Sequence, residues 1–155
     1  MRTGFPVVHI ASGIVALALG PLALLTARRH QRSFPRLRDT YYWTVLVVCT
    51  TATVVSVLAW ARLWWLVPIA ALSYGLALAG YLGNRHDWPL WVRAHGWGGS
   101  YIALVTALLV VSARGVSGAL EAVAWIVPAA IGIPLIVRAY QSAHAGHPSR
   151  PDRAI

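Results

Sequence analysis

From Phe5 to Ala27 the chain carries no charged residue, and from Tyr41 to Leu82 it carries only Arg62. A helix that crosses a bilayer needs roughly 20 mostly apolar residues. The first run therefore supplies one span. The second supplies two, joined by a tight turn around Ala61 to Trp65, with Pro68 beginning the later helix. His95 to Ala113 and Leu120 to Ile136 add two more. The expected fold is all-α: an integral membrane bundle of five transmembrane helices in one domain, residues 1–140. The helices are expected at about 5–27, 41–61, 65–83, 95–113 and 119–138, with 141–155 as a disordered cytoplasmic tail. The first run is too long for a signal-peptide core and no small-residue cleavage site precedes Arg28, so it is expected to stay attached.

Composition narrows the class further. Only 11% of the residues are charged, against about a quarter in soluble domains, too few to clothe a soluble globule. Cys49 is the single cysteine, which excludes a disulfide-stapled module. The net charge of +9 comes from thirteen arginines and no lysine. On a soluble chain that balance would point to nucleic acid. Here the arginines fall between apolar runs, where they mark topology instead. With five spans, ten of them (28, 29, 32, 36, 38, 85, 93, 138, 150 and 153) lie on one side and Arg2, Arg62 and Arg114 on the other. The richer side is expected to be cytoplasmic, which puts the N-terminus outside and the C-terminus inside. The expected location is the bacterial cytoplasmic membrane.

The aromatic residues agree with that depth. Trp43, Trp88, Trp91 and Trp97 are expected at the inner boundary, and Trp60, Trp64, Trp65 and Trp125 at the outer one. Small residues recur every four positions at Gly75, Ala79 and Gly83, and at Gly99, Ala103 and Ala107. Both sets are expected to pack helices closely. The basic loop carries Arg28, Arg29, Arg32, Arg36 and Arg38, a candidate site for anionic lipid head groups, since guanidinium binds phosphate bidentately.

Ionisable groups at mid-membrane are the usual pointers to function, and this chain has almost none. No carboxylate falls there, which argues against a proton pump or cation transporter. Glu121 is read as a solvated interface acid within reach of Arg114. The threonines beside Cys49 are expected to bond back to their own helix. Cys49 has no partner or base nearby in sequence, and no residue is assigned a catalytic role. No metal-ligand spacing is present.

The histidines carry the remaining chemistry. His9 opens the first helix, and His95 is expected to open the fourth at the opposite membrane face. Each has a glycine four residues on, Gly13 and Gly99, and so a bare backbone one turn deeper on the same face. A flat ligand held by an imidazole needs such room. The plainer reading is a histidine anchoring a helix end at the lipid interface. Alignment of His9–Arg28 with His95–Arg114 gives five identities, a faint inverted repeat of the kind transporters use.

The run His95-Gly-Trp-Gly-Gly-Ser-Tyr-Ile-Ala, continued by Thr106-Ala107 and Val110-Val111, resembles the bacterial membrane proteins of domain-of-unknown-function family 2306. So do His9 ahead of Gly13 and Gly20, the basic loop leading into Tyr41-Tyr42-Trp43, and Trp125-Ile-Val-Pro128 with Gly132 and Pro134. The resemblance covers most of the chain, with the His95 block its specific part. It implies a small multi-pass fold with a histidine opening helix one and another opening a late helix, and no established activity. Where that family often carries a histidine just before the tyrosine-bearing helix, this chain reads Phe34-Pro35-Arg36-Leu37-Arg38.

Three function classes follow. The first is a non-enzymatic accessory or assembly subunit of a membrane system. The second is a haem- or quinone-binding redox protein using His9 and His95. The third is a transporter component acting as a dimer. Lipids, other membrane subunits or a second copy are the expected partners, and nucleic acid is not.

Overall fold

The computed structural model describes residues 4–26, 34–114 and 116–145. Those residues form α1 (Gly4–Thr26), α2 (Phe34–Leu58), a single turn α3 (Trp60–Leu63), α4 (Leu66–Arg85), α5 (Leu90–Ala113) and α6 (Gly118–Ala145). Four of these helices contain stretches long and apolar enough to cross a membrane: 36–58, 66–85, 90–113 and 118–138. A shorter apolar stretch, Val7–Leu22, lies in α1. The chain is thus an all-helical bundle with the make-up of a polytopic membrane protein.

Helix ends extend past the expected bounds because apolarity does not mark where a helix stops. α2 begins at Phe34, not near 41, with Pro35 in its first turn, where a missing N–H costs nothing. α5 begins at Leu90, so His95 lies inside the helix and does not open it. α6 continues to Ala145. The first five residues of the segment expected to be disordered are therefore helical, and 146–155 lie outside the described residues. Pro21, Pro128 and Pro134 all sit within continuous helices.

The helices pack in an antiparallel series: α1 on α2, α2 on α4, α4 on α5 and α5 on α6, with a smaller contact between α1 and α5. The α4–α5 contact is backbone on backbone. A methyl group added at Gly96 would strike the backbone nitrogen of Gly80 and lie 2.6 Å from its Cα and 2.8 Å from the Leu76 carbonyl oxygen. Beside it, Trp97 of α5 packs against Gly80 and, at 5.6 Å between ring centroids, against Tyr41 of α2. Trp97 is therefore an internal wedge, not part of the inner aromatic belt, whereas Trp43, Trp88 and Trp91 are exposed. α5 and α6 lock reciprocally: Ile136 fills the space over Gly98, and Ile102 fills the space over Gly132.

The expected small-residue face on α4 needs correcting. Gly75 is exposed and an added methyl there would meet nothing within 4 Å. The contact face runs instead through Ser73, Ala77, Gly80 and Gly83, all buried. A spacing of four residues advances about 40° past a full turn of a 3.6-residue helix. Positions 75, 79 and 83 therefore spread around the helix: Gly75 turns away from the contact, whereas Gly83, near Arg93, reaches α5.

At the end of the bundle where α2 gives way to α4, Arg114 ties three elements together. Its guanidinium donates to the Arg62 carbonyl at 2.6 Å, lies 4.7 Å from the Trp65 ring centroid and stands 3.8 Å from Glu121. Glu121 is thus an ion-pair partner of Arg114, and Trp125 meets Trp65 edge-on at 5.7 Å.

Gly96 of α5 and Gly75 of α4 define a test of this packing. Gly96→Leu should abolish a monodisperse peak in detergent, since backbone cannot move aside and overpacking costs about 1–3 kcal/mol or more. Gly75→Leu should leave the peak and the melting temperature nearly unchanged. Equal tolerance of both, by size-exclusion chromatography and thermal unfolding, would contradict the Gly80–Gly96 contact.

Candidate functional site

His9 lies in the second turn of α1, half-buried, and reaches across to α2. Its Nδ1 is 2.9 Å from Thr51 Oγ1. The Thr51 hydroxyl is in turn 2.8 Å from the Val47 carbonyl oxygen and 3.0 Å from that of Val48. Thr53 bonds back to the Cys49 carbonyl at 2.8 Å, the pattern expected of hydroxyls within an apolar helix. Thr51 thus does what was expected and also serves as the partner of His9, which sequence reading did not reveal. The missing information was the register of the α1–α2 hairpin.

Next to His9 a cavity of about 330 Å³ opens between α1, α2, α4 and α5. Gly13, one turn deeper than His9, forms part of its wall, and a methyl added there would meet nothing within 4 Å. The wall is otherwise mostly aliphatic, with Ser73 and the Cys49 thiol as buried polar groups. Ser73 donates to the Ser100 carbonyl at 3.3 Å and lies 3.5 Å from the Ser100 hydroxyl. Tyr41, 2% exposed, lies near Ser100, and its hydroxyl makes no hydrogen bond of good geometry.

The cavity has a mouth between α1 and α5. Ile10 and Ile14 of α1 and Leu108 and Val111 of α5 line it while remaining exposed on the bundle surface. These two helices meet where Tyr101 covers Gly20. Eleven residues separate His9 from Gly20, about 16 Å of helix. Over that length the two helices leave a gap, and His9 lies toward its open end.

His95 occupies a different setting. It is exposed on α5, its Nδ1–H donates to the Trp91 carbonyl at 2.7 Å, and its ring sits 6.4 Å from that of Trp91. The space beside its glycine is taken: a methyl on Gly99 would meet Leu76 Cδ1 at 3.1 Å. α1 and α5 run antiparallel, so the two histidines stand at opposite ends of the bundle and do not form one site. The inverted echo therefore pairs residues in unlike surroundings.

The basic cluster is described only in part. Arg36 and Arg38 lie in the first turns of α2, with Arg38 Nε 3.8 Å from Asp39. Arg28, Arg29 and Arg32 lie outside the described residues, as do His30 and His147. Among the described residues no group of three His, Cys, Asp or Glu side chains is placed to hold a metal ion. Comparison with family models, with curated proteins and with solved structures found no match to the chain.

The unequal surroundings of the two glycines give a direct check. Gly13→Phe should fill the cavity and leave the protein folded, with a melting temperature within a few degrees of the parent. Gly99→Phe should lower it clearly, by about 1–3 kcal/mol of stability. Thermal unfolding in detergent, with the two variants side by side, reads the difference.

Proposed function

We propose that this polytopic membrane protein holds a lipophilic molecule with a ring-shaped polar head, of the quinone–quinol class, in the cavity beside His9. The observation that carries the reading is the open space over Gly13 one turn below a half-buried imidazole. An apolar wall with a few fixed polar groups is the usual make-up of a small-molecule site, and about 330 Å³ is at the small end of that range. That volume suits one substituted ring with part of its tail. It does not suit a four-pyrrole macrocycle, and one imidazole with no second histidine beside it among the described residues is a poor axial set for haem. His95 takes no part in this site.

The arginine distribution supports five spans with the N-terminus outside, and hence a cavity in the outer leaflet of a bacterial cytoplasmic membrane. The same orientation directs Arg28, Arg29, Arg32, Arg36 and Arg38 toward anionic lipid on the inner side, worth about 1 kcal/mol per residue near the surface. Likeness to domain-of-unknown-function family 2306 belongs with this proposal and adds no activity to it. A second reading, an accessory subunit of a larger membrane assembly, is favoured by α6. That helix packs on α5 alone among the major contacts, and Val123, Ile126, Ile131, Ile133 and Leu135 are exposed on it.

A benzoquinol carrying a diazirine on a short alkyl tail should label peptides of α1 or α2 in the purified protein, and Gly13→Phe should abolish the labelling. Labelling that persists in Gly13→Phe would place the ligand elsewhere. For orientation, Gln31→Cys in a Cys49→Ser background should resist an impermeant maleimide applied to intact cells and react after lysis. Reaction in intact cells would reverse the topology.

A further inference from the structure

We infer that the cavity selects head groups that donate a hydrogen bond, a phenolic or quinol hydroxyl, over head groups that only accept one. The inference rests on the proposed ligand site and adds its chemical selectivity. It follows from tracing protons through the polar groups in the cavity wall.

A threonine hydroxyl has one proton and two lone pairs. Thr51 Oγ1 lies within hydrogen-bond distance of three atoms: the Val47 oxygen, the Val48 oxygen and His9 Nδ1. The two carbonyl oxygens carry no protons, so the Thr51 proton must go to them. Were it turned toward His9, a bare oxygen would face carbonyl lone pairs at 2.8 Å and 3.0 Å. Thr51 therefore presents a lone pair to the imidazole, and Nδ1 carries the ring proton. In a neutral imidazole one nitrogen donates and the other accepts. With Nδ1–H committed to α2, Nε2 is left as an acceptor.

The buried hydroxyl in the wall has the same sign. Ser73 gives its proton to the Ser100 carbonyl, and even with the Ser100 hydroxyl donating to it one lone pair of Ser73 Oγ stays open. Cys49, beside Ser73, is only a weak donor. Both stronger polar groups of the wall thus ask for a proton from the ligand. A ligand O–H meets that demand, whereas a head group offering only carbonyl or ether oxygens would set lone pair against lone pair. Leaving a buried acceptor without a partner is costly, and the cost falls on the head group that cannot donate.

The test uses a 4-alkylphenol and its methyl ether with the same tail, each competing with the diazirine-bearing benzoquinol on the purified protein in lipid nanodiscs. The phenol should compete at concentrations about tenfold lower than the ether. In Thr51→Val the ring loses the partner that orients it, and the ratio should fall below about threefold. In Thr51→Ser, which keeps the hydroxyl, the ratio should return. His9→Phe should also remove the preference while the ether still competes. Equal competition by phenol and ether in the parent protein would overturn the selectivity and leave the cavity as a binding site. Competition by neither compound would overturn the site and the selectivity together. An undiminished preference in folded, monodisperse Thr51→Val would overturn the assignment of the proton.

Discussion

The contact of Gly80 with Gly96 sets the positions of nearly everything else. Between lipid-facing helices there is little hydrophobic gain, because lipid tails are as apolar as leucine. Association depends on dispersion at close range, and that requires backbones to come together. Where Gly96 meets Gly80, α4 and α5 do so. α2 then packs against α4, α6 hangs on α5 through the Gly98–Ile136 and Gly132–Ile102 pairs, and α1 reaches the bundle mainly through α2. The cavity is a by-product of this order. α1 is held firmly on one side and meets α5 only briefly, so a gap remains between them.

The architecture was largely legible in the residues because the bilayer permits few solutions. Any spanning segment must satisfy its backbone internally, so long apolar runs become helices. Length and apolarity located the helices and the turn near Arg62. They could not locate helix ends, since Phe34–Thr40 and Leu90–Ala94 are polar or mixed segments that prolong helices beyond the apolar stretch. The face of α4 was misread for a related reason. A repeat of four looks regular in a line of letters, yet it winds around a helix, and the true contact follows Ser73, Ala77 and Gly80.

The site was half legible. Local spacing identified His9 with Gly13 and His95 with Gly99 as equal candidates. Which glycine has open space beside it depends on another helix: Leu76 covers Gly99, and no described residue covers Gly13. Thr51 escaped notice because its link to His9 spans 42 positions in the chain. Trp97 was read by residue type as an interfacial anchor, whereas burial against Tyr41 and Gly80 makes it a packing residue.

The mouth of the cavity faces sideways, between Ile14 of α1 and Leu108 of α5. A lipophilic visitor that uses this opening never leaves the hydrocarbon phase. Its tail has the same affinity for the bilayer as for an aliphatic wall, so transfer of the tail contributes almost nothing to occupancy. Occupancy is then governed by the mole fraction of the compound among the lipids, not by its concentration in water. Two compounds that partition equally into the membrane can be told apart only at their heads, by the exchange of one lipid-solvated polar group for the imidazole.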